Sequence, residues 1–202
     1  LSIGCDGNGV PYLVAGNRGS GASAANGCHI AWPDSPASLG GTWSAHTIDA
    51  SSITEGDASG RFAGVVSQAG VDYLVVCYTE DATDTVRMAY HPVETTLSNY
   101  GAGWTVIELE TALSVDNHVW AGVMAHGGEQ VVITVVKDGD GSGAGQLQLI
   151  TSQLGTGMTW THKRHRVTNG IGDPVPVQES PSRPCAVLDQ TNGEVWVIYH
   201  AR

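Results

Sequence analysis

"FAGVVSQAGVDYLVVCY", Phe62 to Tyr78, decides the fold. Two apolar runs are joined by Ala69-Gly70, with polar Ser67, Gln68 and Asp72 around the join. Neither run has the i, i+3, i+4 spacing of an amphipathic helix, and Val and Tyr favour strand. A tight two-strand connection needs positive φ, which Gly supplies at little cost. The segment predicts a β-hairpin whose first strand is built of small residues.

The pattern recurs along the chain, and a repeat sets the architecture before any single element does. "DGNGVPYLVAG" from Asp6, "AHGGEQVVITVV" from Ala125 and "DQTNGEVWVIYH" from Asp189 are further turns leading into β runs. Gly9, Gly70, Gly127 or Gly128, and Gly193 fall at matching places. A short run of small apolar residues precedes each turn: "LSIGC", "FAGVV", "VWAGVM" and "CAVL". Third runs follow in "CHIAW", "VRMAY" and "LQLIT", and fourth runs open on a Trp in "TWSAHTI", "WTVIELE" and "TWTHKRHRV". The three leading tryptophans, Trp43, Trp104 and Trp160, are 61 and 56 residues apart.

Four short antiparallel strands per unit of this length make the blade of a β-propeller. The expectation is an all-β chain, one partial propeller over residues 1–202. Its blades are placed at about 1–50, 51–111 and 112–168, with an incomplete one at 181–202. Three and a half blades are either a segment of a six- to eight-bladed ring or half of a ring completed by a second copy. The small first-strand residues suit a crowded axis, and the tryptophans are assigned to the seams between sheets.

Charge narrows the partners. Twenty acidic against nine basic residues leave a formal net charge of −11. A nucleic-acid partner is not expected, because the one basic cluster, His162 to Arg166, alternates within a strand-like run. No apolar run approaches the roughly 20 residues of a membrane span, so membrane insertion is not expected. Cys5, Cys28, Cys77 and Cys185 lack the short spacings of a zinc site and are read as small buried hydrophobes, with a Cys5–Cys28 disulfide as the alternative.

The Trp motifs resemble degenerate Asp-box, or BNR, repeats of the sialidase-like propeller superfamily. "QLGTGMTW", Gln153 to Trp160, keeps the Gly, Thr and Trp of that pattern, with Gln153 and Gly155 where it has Ser and Asp. "SLGGTW" and "NYGAGW" keep less. The resemblance implies the propeller fold, and by analogy carboxylate-binding arginines at the starts of inner strands. Arg18, Arg61 and Arg183 are the arginines available, but the Tyr–Glu nucleophile pair of a sialidase is not recognisable.

In a propeller, the loops entering first strands and those between second and third strands rim one mouth, where sites collect. Asp116, Asn117 and His118 hold such a position, as do Asp57, Arg61, Glu179 and Arg183. Arg18 and Tyr78 follow or end second strands. His118 is the candidate acid–base residue, because a neutral imidazole titrates near the working pH and Asp116 can orient it. With Tyr78 as a second base, and Arg61 and Arg183 to neutralise a carboxylate, the set matches what a uronate-cleaving lyase requires. Arg18, Asp57, Asp116, Asn117 and Glu179 are assigned to ligand binding. Asp138, Asp140 and Ser142 in "KDGDGSGAG" are candidate Ca²⁺ ligands on a Gly-rich loop.

The functional expectation is an extracellular or surface propeller that recognises carbohydrate at its central mouth. One alternative is a glycan-cleaving enzyme, lyase before hydrolase. Another is a structural or adhesive unit of a surface fibre or virion appendage. The expected partners are carbohydrate and either a second copy or further blades.

Overall fold

A computed structural model of the protein describes residues 1–17, 27–35, 40–50, 60–80, 85–110, 114–115, 120–139, 144–156, 159–166, 176–178 and 185–198. These form four antiparallel sheets, taken in chain order. The first comprises β1 (Ser2–Cys5), β2 (Pro11–Asn17), β3 (Gly27–Pro33) and β4 (Trp43–Asp49). The second comprises β5 (Gly60–Gln68), β6 (Val71–Glu80), β7 (Thr85–Pro92) and β8 (Thr105–Glu110), with a 3-10 turn at Leu97–Gly101 before β8. The third runs β10 (Trp120–His126), β11 (Glu129–Gly139), β12 (Ala144–Leu154) and β13 (Trp160–Arg166). Two short strands extend it: β9 (Ser114–Val115) pairs with β11, and β14 (Pro176–Gln178) with β12. The fourth is the hairpin β15 (Cys185–Asp189) and β16 (Glu194–Ile198).

The hairpins expected at the repeated turns are present. Gln68 pairs with Val71 across Ala69-Gly70, whose φ values of 51° and 81° make the double left-handed turn that matches strand twist. Gly9, Gly127, Gly128 and Gly193 share positive φ at the corresponding joins. In the first and fourth sheets an Asp opens the turn. Asp6 Oδ1 accepts the N–H groups of Asn8 and Val10, both at 2.9 Å, and Asp189 Oδ1 accepts those of Thr191 (2.9 Å) and Asn192 (3.2 Å).

First strands bring the sheets together. β5 packs on β1 and β2, β10 on β5, and β15 on β10. The strand period of two then divides each inner sheet between two cores. In β6, Leu74, Val76 and Tyr78 enter the core shared with Tyr12, Ile30 and Trp32 of the first sheet. Val75 and Cys77 enter the core shared with Val132, Val136 and Ile150 of the third. Val135 and Leu147 meet Ala186 and Val197 of the fourth. Trp104 closes the first of these cores and Trp160 the second, so these two repeat tryptophans do the same job one sheet apart.

The assignment of four short antiparallel strands to each complete unit thus holds for the first two sheets and for the trunk of the third. None of the sheets closes on itself. β9 and β14 were not expected; they lie on either side of the β11–β12 hairpin and lengthen its pairing at one end. The cysteine reading needs correction. Cys28 and Cys77 are buried as expected, but Cys5 and Cys185 are exposed, and all four thiols are free. Burial pushes the Cys77 thiol up to about 12. Among the described residues, no helix is long and apolar enough to cross a membrane.

Candidate functional site

The first two sheets face each other across a cleft of about 680 Å³ on the side where β1 turns into β2. One wall is Asn8, Val10, Asp34 and Ser44; the other is Glu94, Thr95, Thr96 and Ser98; Trp32 lies at the base. Local sequence places these groups. Asp34 follows the end of β3 and is tied to β4 by Ser44 Oγ, which donates to Asp34 Oδ1 at 2.5 Å. That bond, together with one from Thr42, holds the Asp34 carboxyl below its ordinary range. Glu94 starts the connection from β7 to β8 and accepts a hydrogen bond from Asn99 Nδ2 at 3.0 Å.

A buried chain of polar groups braces both walls. Tyr12 Oη stands 3.0 Å from Asp6 Oδ2 and 3.1 Å from Tyr100 Oη. The Glu94 N–H donates to Tyr100 Oη at 2.8 Å. Asp6 thus holds Asn8 and Val10, Tyr100 holds Glu94, and Tyr12 joins the two. Desolvation raises the Tyr12 pKa, with Tyr100 and Asp6 adding to it, so the phenol stays protonated. His91 packs on both Tyr100 and Trp104, with ring centroids 5.2 Å apart in each pair, Trp104 lies 6.4 Å from Tyr100, and together they fix the loop that carries the second wall. Trp104 Nε1 donates to the Tyr100 carbonyl at 3.0 Å.

Asp34 and Glu94 keep spare acceptor capacity, because a carboxylate can take about four hydrogen bonds. Hydroxyls of Ser44, Thr95, Thr96 and Ser98 and the amide of Asn8 add donors and acceptors. Among the described residues no Lys or Arg lines the cleft. Chemically it suits a neutral ligand rich in hydroxyl groups and opposes an anion.

A second groove, about 610 Å³, lies among Ser67, His126, Glu129, Gln130, Gln153 and Gln190. Here the polar groups serve sheet-to-sheet contacts. Gln130 Oε1 accepts the Ser67 N–H at 2.6 Å, His126 Nδ1 is 3.0 Å from the Gln190 carbonyl, and Gln68 Nε2 meets the Gly155 carbonyl.

Of the residues assigned from sequence to the opposite mouth, Tyr78 and Arg61 fall among the described residues. Tyr78 is buried and donates to Asp49 Oδ2 at 2.6 Å; Arg87 Nη1 reaches the same oxygen at 2.8 Å. Desolvation, then the Asp49 bond, raises the Tyr78 pKa. A phenol held as a donor to a carboxylate is a poor proton acceptor, and this bond ties the first sheet to the second. Arg61 pairs with Cys77, whereas Tyr78 pairs with Gly60, so alternation places Arg61 and Tyr78 on opposite faces of the second sheet. The expected convergence of these two is not found. Arg61 Nη1 donates to the Gly60 carbonyl at 3.1 Å.

His118, Arg183, Arg18, Asp57, Asp116, Asn117, Glu179, Asp140 and Ser142 lie outside the described residues. The backbone of Asp138 belongs to β11 and pairs with Gln146 and Val115, so the Gly-rich loop begins later than expected. Among the described residues no group of three His, Cys, Asp or Glu could hold a metal ion.

Sequence reasoning missed the Asp6–Tyr12–Tyr100 brace and the Asp34–Glu94 cleft. The Asp-x-x-Gly of residues 6–9 was a local signal for the turn at Asp6. Nothing local links Tyr12 to Tyr100, 88 residues apart. Comparison of the chain with family models, with curated proteins and with solved structures finds no match.

Proposed function

We propose that this protein is a blade-repeat β protein of propeller type that recognises carbohydrate, and that the cleft between its first two sheets takes a neutral sugar segment. One observation carries the reading: two carboxylates, four hydroxyls and an amide line a braced cleft. Carboxylates and short hydroxyl side chains pair well with vicinal hydroxyl groups, and a pre-ordered site loses little entropy on binding. The two carboxylates in the lining oppose an anionic sugar, which separates this site from the uronate chemistry expected at the mouth. The resemblance to sialidase-like repeats supports the same ligand class by analogy.

The test is affinity electrophoresis and titration calorimetry against neutral and uronate polysaccharides. Retention by a neutral polymer is expected. The Asp34→Asn/Glu94→Gln double variant should weaken it by about tenfold or more, since each loses a charge-assisted hydrogen bond of roughly 1.5–3 kcal/mol. Its far-ultraviolet spectrum should match that of the parent, which separates lost binding from lost folding. Binding confined to uronate polymers, or unaltered in the double variant, would remove the cleft from the function.

A further inference from the structure

Three interfaces inside this chain follow one directional rule. Each sheet carries a notch in its first strand, and a bulky first-strand side chain of the next sheet fills it. A Cβ at Gly4 would fall within the Phe62 ring. At Gly64 it would lie 2.8 Å from Val123 Cγ2; at Gly122 it would meet Trp120 of its own strand at 2.6 Å and Leu188 Cδ1 of the next sheet at 3.2 Å, so there the two side chains share the notch. The first three sheets therefore show a notch to the sheet that follows, and the last three a bulky residue to the sheet that precedes.

The two terminal sheets each keep one face against which no described element packs. On the first sheet this is the bulky side, where Ile3 is 70% exposed and pairs with Leu13. On the fourth it is the receiving side, where Val187 is 54%, Trp196 61% and Ile198 54% exposed. Cys185 shares that row, pairs with Ile198 and is itself exposed. It stands four residues before the turn-opening Asp189, as Gly64 stands before Gln68 and Gly122 before His126, whereas Gly4 stands two before Asp6. The small residue thus matches the notch positions of the second and third sheets, on a face that no described element fills.

We propose that a second copy of this chain docks on that face, its first sheet lying on the outer side of β15–β16. The contact would be the fourth of the internal series, with Ile3 and its neighbours meeting the row of Cys185, Val187, Trp196 and Ile198. The argument for a second copy is that one chain bears both complementary faces. Like faces would set bulky side against bulky side, or notch against notch. Unlike faces reproduce the packing seen three times already. A contact of this head-to-tail kind either closes into a ring or extends as a filament. The net charge of −11 opposes association between copies, so salt should strengthen it. The inference is independent of the carbohydrate reading.

The experiment is sedimentation equilibrium on the full chain, with Ile3→Glu, Trp196→Glu and an equimolar mixture of the two. Both positions are exposed in the single chain, so the variants should keep the parent's far-ultraviolet spectrum. The parent should associate with a dissociation constant below about 10 μM. Each variant alone should be monomeric. The mixture should form a 1:1 dimer and nothing larger, because one intact face of each kind remains. A monomeric parent at about 100 μM would overturn the proposal. So would a Trp196→Glu protein that associates like the parent, or a mixture that stays monomeric.

Discussion

Tyr78 and Asp49 belong to different sheets, and their 2.6 Å hydrogen bond joins a buried phenol to a partly buried carboxylate. Arg87 completes the group, with Glu108 at 3.5 Å from its other terminal nitrogen. The carboxylate and guanidinium are partly buried, and pairing and hydrogen bonding offset their lost hydration, so each partner supports the others. Tyr78→Phe keeps the ring and removes one bond to the carboxylate. It should lower unfolding free energy by about 1–2 kcal/mol, read from the urea midpoint at unchanged slope. Asp49→Ala should be worse by a further 1 kcal/mol or more, roughly, because Arg87 then loses its closest acceptor. A Tyr78→Phe protein as stable as the parent would mean that the phenol does not tie the sheets.

At the scale of the element, the β5–β6 hairpin carries one residue that its turn does not favour. Ala69 has φ 51°, a left-handed conformation in which Cβ crowds the following carbonyl oxygen. The third sheet solves the same turn with Gly127-Gly128. Ala69→Asn should therefore stabilise the protein by about 1 kcal/mol, measured as a rise in the denaturation midpoint without change in slope. The corresponding exchange at Gly70, φ 81°, to Ala should destabilise it. The prediction fails if both exchanges move the midpoint in the same direction.

For the whole molecule, histidines set the response to mild acid. Burial depresses the pKa of His46, His162 and His165 below 6.5; neighbouring His91 and His29 add to the effect at His46, and Lys163 at His165. The unfolded chain therefore takes up these protons first as pH falls. Their contribution to stability is present above about pH 6.5 and is lost as pH drops through the folded values. The melting temperature should be lower at about pH 5.5 than at about pH 7.5, and His46→Gln/His162→Gln should narrow that difference. Asp34 and Asp189, whose carboxyls are held low by hydrogen bonds from Ser44 and Asn192, extend the loss into the carboxylate range. A flat profile between the two pH values would show that these imidazoles are as accessible in the folded chain as in the unfolded one.

The amino-acid sequence by itself determined the local structure and its repetition. Positive-φ glycines, alternating apolar runs and a Trp every sixty residues or so specify hairpins through interactions between near neighbours. Steric exclusion and strand period suffice to read those. Only the tertiary structure decided which faces meet. It set Tyr12 against Tyr100, placed Asp34 and Glu94 across one cleft, and joined Tyr78 to Asp49 of the neighbouring sheet. These pairings join residues tens of positions apart, and the free energy that selects them comes from burial between sheets. That term depends on the summed shape of two surfaces and leaves no periodic mark on either strand.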